Sequence, residues 1–376
     1  MNILSIIDSK DLSSGGPIYL CNSQKKFLSK KCYIKIFSVN NIDIVKFILF
    51  VFGYKRKKII DILLKFSLVH FHDVWSIRHH LLAIILRKLS IPYIFSVHGH
   101  FDIWSLKKKY LLKKIFYFLF KKNFILASGL QISSIEELNE AKIFLQNENI
   151  NFFLISNGVD ININDIDFNK KKLDTNIIKL LFFGRIHHKK GLELILHSFK
   201  KILSSKKDPT INYSLTIVGP GEKYYLKKIK NLISDLELTS VVKFLEPIYE
   251  ERDKINLLTS YDIFLLPSYE EADSIALKEA LACGLPVIIS KQCRFNEVEI
   301  FNCGLILKNN TSDDFLIAIK KMSDTKLLAA MSKNSAQLID KKYKSSLMNE
   351  NFYEIYFDVM NGTRVAKNWA CNNYRL

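Results

Sequence analysis

The sequence predicts an α/β protein made of two doubly wound parallel sheets, and three observations point to it. Short apolar runs alternate with longer helical patterns, the mark of parallel strands joined by crossover helices. The chain has 376 residues, enough for two domains at roughly 100–200 residues each. Midway, the turn cluster Ser156-Asn157-Gly158-Val159-Asp160 and the polar run from Asn162 to Thr175 interrupt the alternation and read as a linker.

In chain order, Asn2–Ile7, Tyr33–Val39, Leu68–Phe71, Tyr93–Val97 and Phe152–Ile155 read as strands of a first domain, 1–160. One helical pattern opens after Gly15-Gly16-Pro17, and another runs from Trp104 to Phe124. The linker is placed at 161–176. In a second domain, 177–344, the expected strands are Ile178–Phe183, Ser214–Val218, Val242–Phe244, Ile263–Leu266, Val287–Ile289 and Leu305–Leu307. Helices are expected at Gly191–Leu203, Lys223–Asp235, Ser274–Cys283 and Ser312–Met322. In the segment 345–376, Ser345–Met360 reads as a helix returning to the first domain, with a frayed tail from Asn361. The strand ends of both sheets are expected to face a cleft, where ligands of such sheets bind.

Hydrophobic residues make up 48% of the chain, which excludes a disordered or fibrous protein. With 55 basic and 37 acidic side chains the formal charge is +18. That excess attracts polyanions: nucleic acid, an anionic membrane surface or phosphorylated small substrates. The six cysteines show no C-x-x-C pairing, as expected of free thiols in a reducing compartment. Asp8 interrupts the N-terminal apolar run too early for a signal-peptide core. The apolar run Ile115–Phe120 is closed by lysines and falls far short of the ~20 residues a spanning helix needs. A cytoplasmic protein is expected, soluble or peripheral on the inner face of the cytoplasmic membrane.

The segment from Leu266 to Ile288 is the most informative. A strand ends at Pro267, the acidic loop Ser268-Tyr269-Glu270-Glu271-Ala272-Asp273 follows, and a helix opens near Ser274. Unpartnered backbone N–H groups at a helix start can seat a pyrophosphate. Carboxylates such as Glu271 and Glu279 accept hydrogen bonds from sugar hydroxyls. Glu271 and Asp273 would equally serve to complement the helix N-terminus, at about 0.3–1 kcal/mol each.

Glu271 and Glu279, with the following Ala280-Leu281-Ala282-Cys283-Gly284-Leu285-Pro286-Val287-Ile288, resemble the signature of the family 4 retaining glycosyltransferases of GT-B fold. Other segments agree in order: Gly184-Arg185-Ile186-His187-His188-Lys189-Lys190-Gly191, Val218-Gly219-Pro220-Gly221 and Ile155-Ser156-Asn157-Gly158-Val159-Asp160. The run from Val97-His98-Gly99 through Ile132-Ser133-Ser134 resembles the polysaccharide and O-antigen assembly branch.

The resemblance implies two Rossmann-like domains facing a cleft and a nucleotide-sugar donor. It assigns Arg185 and Lys190 to the leaving diphosphate, Glu279 to the ribose and Glu271 to donor-sugar hydroxyls. The loop and first turn at Asp273, Ser274 and Ile275 join the donor site. Ala272 and Ser274 stand where the family commonly has glycines, which leaves the donor sugar open. His98 falls beside the transferred sugar, making it with Glu271 the catalytic pair. Gly16 is placed against the diphosphate, Gly15 and Trp75 against the acceptor. An ordinary strand-to-helix turn at Gly15-Gly16-Pro17 would look the same.

Gly219-Pro220-Gly221 lacks the third glycine of the dinucleotide fingerprint, and no phosphate-binding G-x-x-x-x-G-K-[ST] loop occurs. Asp165-Ile166-Asp167 reads as a solvated polar run, and His70 with His72 lacks an obvious third zinc ligand. No cofactor and no metal are expected.

The stretch Trp104–Lys122 mixes seven lysines with bulky apolar groups, suited either to an anionic membrane or to an ordinary domain helix. The first reading implies a lipid-linked saccharide acceptor such as a polyprenyl-diphosphate sugar. Two alternatives compete: a nucleotide-sugar isomerase or hydrolase on the same fold, and a basic nucleic-acid-binding protein. Against the latter, no recognition-helix or aromatic sheet motif is found.

Overall fold

In a computed structural model, the residues described are 1–9, 16–39, 47, 53, 56–147, 149–161, 166, 177–204, 212–362 and 369–370. The chain divides into two compact units, Met1–Gly158 with Ser345–Leu376, and Val159–Lys344.

The first unit holds β1 (Asn2–Ile7), α1 (Gly16–Leu28), β2 (Tyr33–Ser38), α2 (Arg56–Leu63), β3 (Leu68–Phe71), α3 (Ile77–Lys88) and β4 (Tyr93–Ser96). It continues with α4 (Ile103–Lys107), α5 (Tyr110–Ile125), β5 (Gly129–Ile132), α6 (Ile135–Leu145) and β6 (Phe152–Leu154). Its strands are parallel, in the order β2-β1-β3-β4-β5-β6. The tail adds a two-residue strand, Trp369–Ala370, beside β6.

The second unit runs β7 (Ile177–Phe183), α7 (Leu192–Ser204), β8 (Asn212–Val218), α8 (Lys223–Asp235), β9 (Val242–Leu245), α9 (Glu251–Thr259) and β10 (Ile263–Leu266). Then come α10 (Ile275–Ala282), β11 (Val287–Ser290), α11 (Glu297–Ile300), β12 (Gly304–Leu307), α12 (Ser312–Lys321) and α13 (Thr325–Lys342). Its sheet order is β9-β8-β7-β10-β11-β12, all parallel. Helices on both faces bury such strands completely, so they read as unbroken apolar runs. Ile263–Leu266 and Val287–Ser290 are buried at every position.

After α13 the chain returns to the first unit as α14 (Ser345–Met360), where the Asn349 amide donates to the Ser23 hydroxyl of α1 at 2.9 Å.

Three departures from the sequence reading have physical causes. The expected helix from Trp104 to Phe124 is two helices, because Lys109 takes a left-handed φ of 58° and breaks the hydrogen-bond ladder. Strand β5 was not expected, since Gly129 and Gln131 dilute its apolar signal. The glycine is needed there: a Cβ would meet the Phe153 ring at 2.4 Å. Helix α13 was also not expected, its pattern being blurred by Ser332, Asn334 and Ser335.

Of the expected linker, Ile161 and Ile166 are described, and both are buried in the core of the second unit. The rest, with Asp165 and Asp167, lies outside the described residues, as does Gly15.

Candidate active site

The second sheet reverses its winding between β7 and β10, and in such sheets ligands bind where the loops leave the carboxyl ends of those two strands. The two loops that emerge there carry Arg185 and Lys190 after β7, and Glu271 and the start of α10 after β10.

Backbone contacts hold the first loop. Gly184 (φ 143°) and Gly219 (φ 150°) let the β7 and β8 exits touch; a Cβ on Gly219 would fall 1.8 Å from the Gly184 carbonyl oxygen. The Ile186 amide donates to the Pro220 carbonyl at 2.7 Å. His187 Nδ1 then accepts from the Lys189 amide at 3.2 Å, capping one 3₁₀ turn at His188–Lys190. Burial and the neighbouring cations lower the His187 pKa, which keeps that nitrogen free to accept. Gly191 ends the turn in the left-handed region, packed on the Pro267 carbonyl.

The second loop docks on the first. The Tyr269 amide donates to the Lys189 carbonyl at 2.7 Å, and Lys190 Nζ pairs with Glu271 Oε1. The Ser268 hydroxyl donates to the same carboxylate oxygen at 2.7 Å. Glu270 is buried between Lys189, at 3.4 Å, and Arg294, at 3.9 Å. Arg185 itself is exposed.

Helix α10 starts at Ile275. The Ser274 hydroxyl caps it, accepting from the Leu277 amide at 3.3 Å. The Ile275 and Ala276 amides sit in the first turn, where no intrahelical acceptor exists. This turn lies against the Arg185 loop: a Cβ on Gly184 would sit 3.8 Å from the Ala276 Cβ. Glu279 is buried one turn further along the helix and pairs with Lys254 of α9 at 2.6 Å. Burial raises its pKa, and Lys254 works against that rise.

Arg185, Lys190, Glu271, Ser274, Ile275 and Glu279 thus lie on two interlocked loops of one unit and on the helix α10 that follows the second. Asp273 is differently employed. Its carboxylate pairs with Lys278, a fully buried lysine whose ammonium also lies 4.5 Å from the Tyr343 ring centroid. That pair fastens the loop to the core. Lys254, Ser268 and Arg294 were missed, because nothing in their spacing marks them; only the strand order brings α9 beside α10.

In the first unit the winding reverses between β1 and β3, and polar groups gather at those strand ends. His98 follows β4 in a left-handed conformation, φ 53°, its Nε2 3.2 Å from His72 Nδ1. Burial lowers the His98 pKa to about 3, so the ring is neutral. Next to it, the Gly99 amide donates to buried Glu137 at 2.6 Å, and the same carboxylate accepts from the Ser133 amide and hydroxyl. These bonds hold the loop after β4 in its turn.

His70 spends both ring nitrogens, on Tyr356 and Ser96, each at 2.7 Å, which leaves none for a metal. Trp75 is half-buried, edge-on to Phe101, Phe116 and Phe144, with its indole N–H donated to the His100 carbonyl at 3.3 Å. This packing makes it a core residue more than an acceptor platform. Gly16 begins α1, and a Cβ there would meet nothing within 4 Å, so the fold itself does not demand glycine.

The architecture and the switch-point loops define a GT-B protein, as solved structures agree. Over 96% of this chain, sucrose-phosphate synthase from Thermosynechococcus elongatus superposes with a TM-score of 0.75 at 15% identity, covering 99% of that protein. HepE of Anabaena in complex with UDP-glucose gives 0.70 at 20% identity, covering 94% of this chain and 98% of that one. WaaG, a glycosyltransferase involved in lipopolysaccharide biosynthesis, gives 0.68 at 16%, covering 96% and 100%.

Residues 163–338, which lie within the second unit, match the family model of the glycosyl transferases group 1. A curated relative, the Escherichia coli UDP-Gal:alpha-D-GlcNAc-diphosphoundecaprenol alpha-1,3-galactosyltransferase, is 28% identical over 220 residues. The match covers 55% of this chain and spans about half, 54%, of that relative.

Proposed function

We propose that the protein is a retaining glycosyltransferase that moves a sugar from a UDP- or GDP-sugar to a lipid-linked saccharide in surface-polysaccharide assembly. The observation that carries this reading is the docking of the Arg185–Lys190 loop on the first turn of α10 and on Glu271. A diphosphate seated there meets two cations and two first-turn amides, the environment that stabilises a leaving group gaining charge. It would draw Lys190 from Glu271, whose carboxylate then accepts from the donor-sugar hydroxyls, while Glu279 holds the ribose.

In the transfer the bond between the anomeric carbon and the diphosphate oxygen breaks, and its electron pair leaves with the nucleoside diphosphate. The acceptor hydroxyl oxygen bonds that carbon on the same face and passes its proton to the departing phosphate. Arg185 and Lys190 carry the charge that a metal carries in other transferases.

The acceptor class is supported by the relative named for a diphosphoundecaprenol-linked substrate. It is also supported by α5, which turns an apolar stripe outward. Leu111, Phe118 and Leu119 are 72%, 79% and 69% exposed, with Leu112 and Ile115 beside them. Exposed Lys107, Lys108 and Lys109 flank one end, and Lys121 and Lys122 the other. Such a helix lies in the plane of an anionic bilayer. Among the described residues no helix is long and apolar enough to cross a membrane.

The test is thermal stabilisation by a panel of UDP- and GDP-sugars, followed by transfer to a polyprenyl-diphosphate saccharide. A ligand at 100 times its dissociation constant should add about 2.7 kcal/mol. Arg185→Ala should lose transfer by about 10²–10³-fold while staying folded, as when one charge-stabilising donor is removed. Full activity in that variant overturns the reading, and sugar release without an acceptor points to a hydrolase instead.

A further inference from the structure

We propose that Lys254 is a positioning residue for the donor ribose: from α9 it fixes the charge and the rotamer of Glu279. This rests on the donor-site reading above. Glu279 lies inside α10 with a side chain only 7% exposed, and an isolated carboxylate at such a depth takes up a proton rather than stay charged. A protonated carboxyl group offers fewer lone pairs to ribose hydroxyls. Lys254 Nζ, 2.6 Å from Glu279 Oε1 and itself only 19% exposed, supplies the compensating charge. Glu251, one turn earlier on α9, opposes it by pressing Glu279 towards the neutral form. Lys278, next to Glu279 in sequence, is no substitute, because it turns inward to Asp273. The lysine therefore acts on the ligand through Glu279 and needs no contact with it.

The experiment measures UDP and GDP affinity between about pH 6 and pH 8 for the unaltered protein, Lys254→Met, Lys254→Arg and Glu279→Ala. Affinity in the unaltered protein should be nearly flat with pH. In Lys254→Met it should weaken as pH falls, by up to about tenfold per pH unit once Glu279 is mostly protonated. Lys254→Arg should restore the flat profile. With 2′,3′-dideoxy-UDP, which lacks the ribose hydroxyls, the Met variant and the unaltered protein should bind alike.

A Met variant with an unchanged profile overturns the proposal, and so does a pH-independent loss that arginine does not rescue, which marks a merely structural pair. An equal loss with the dideoxy nucleotide also overturns it. Glu279→Ala separates the two levels: if it too binds normally, the donor-site reading fails, whereas if it alone loses binding, only the role of Lys254 fails.

Discussion

The Tyr269 amide and the Lys189 carbonyl oxygen, 2.7 Å apart, tie the loop after β7 to the loop after β10. That bond sets the cations of one loop beside the carboxylates of the other, where Lys190 pairs with Glu271. Gly191 stands next to the junction, and its left-handed backbone is pressed on the Pro267 carbonyl.

Gly191→Ala should therefore unlock the site. An L residue in that conformation costs about 1–2 kcal/mol, and the new Cβ would start 2.3 Å from the Pro267 oxygen. Urea unfolding followed by circular dichroism should show a loss larger than the backbone term alone. An unchanged midpoint would mean the loop relaxes freely.

Lys278 and Asp273 form a buried pair, so removing one partner strands a charge. Lys278→Ala should destabilise by about 3–5 kcal/mol, and Lys278→Met with Asp273→Leu should recover much of that. Chemical denaturation of the single and double variants decides it. Were Asp273→Asn to cost donor affinity with no loss of stability, Asp273 would be a donor ligand and not a fastening residue.

The first unit should weaken in acid. His70, His72, His79, His80 and His98 are all held neutral by burial, which lowers their pKa values, to about 4 for His80 and about 3 for His98. Each binds fewer protons folded than unfolded, so its penalty is absent above about pH 6.5 and grows below it until the folded value is reached. Asp73 adds to the loss at lower pH: burial pushes its pKa up, but His100, His79 and the Trp75 amide together outweigh that and hold it below the usual carboxylate range. Asp8 and Glu137, raised by burial, act in the opposite sense.

Stability should thus fall with pH below 6.5 at up to about 1.4 kcal/mol per unit for each fully titrating histidine. Tryptophan fluorescence reports it selectively, because Trp75, Trp104 and Trp369 all belong to the first unit. His98→Asn, which tolerates the left-handed backbone, should shallow the acid limb. An identical limb would exclude His98 as a contributor.

The outward stripe of α5 should bind bilayers. Co-sedimentation with vesicles containing anionic lipid should retain the protein at low salt and release it as salt rises. Phe118→Glu with Leu119→Glu should abolish binding without unfolding, as both side chains already face solvent. Equal binding to neutral vesicles would argue against the lysine contribution of about 1 kcal/mol each.

Much of this was legible in the chain. Strands buried on both faces announce themselves as apolar runs, which is why β1, β3 and β10 were placed to the residue. The Arg185–Lys190 and Glu271–Glu279 pairs could be picked out as candidates as well, because each lies within one loop-and-helix segment where sequence distance and spatial distance are nearly the same.

Other features depend on packing between segments far apart in sequence. Gly129 and Gln131 look unlike a strand until Phe153 lies beside them. Lys109 reads as one more helical lysine, yet its left-handed backbone divides α4 from α5. Asp273 looks like a ligand in the motif, and only the burial of Lys278 beneath it reveals a structural pair. Lys254 carries no signal of its own. It reaches Glu279 because the strand order sets the helix before β10 against the helix after it, and a one-dimensional pattern holds no record of which helices become neighbours.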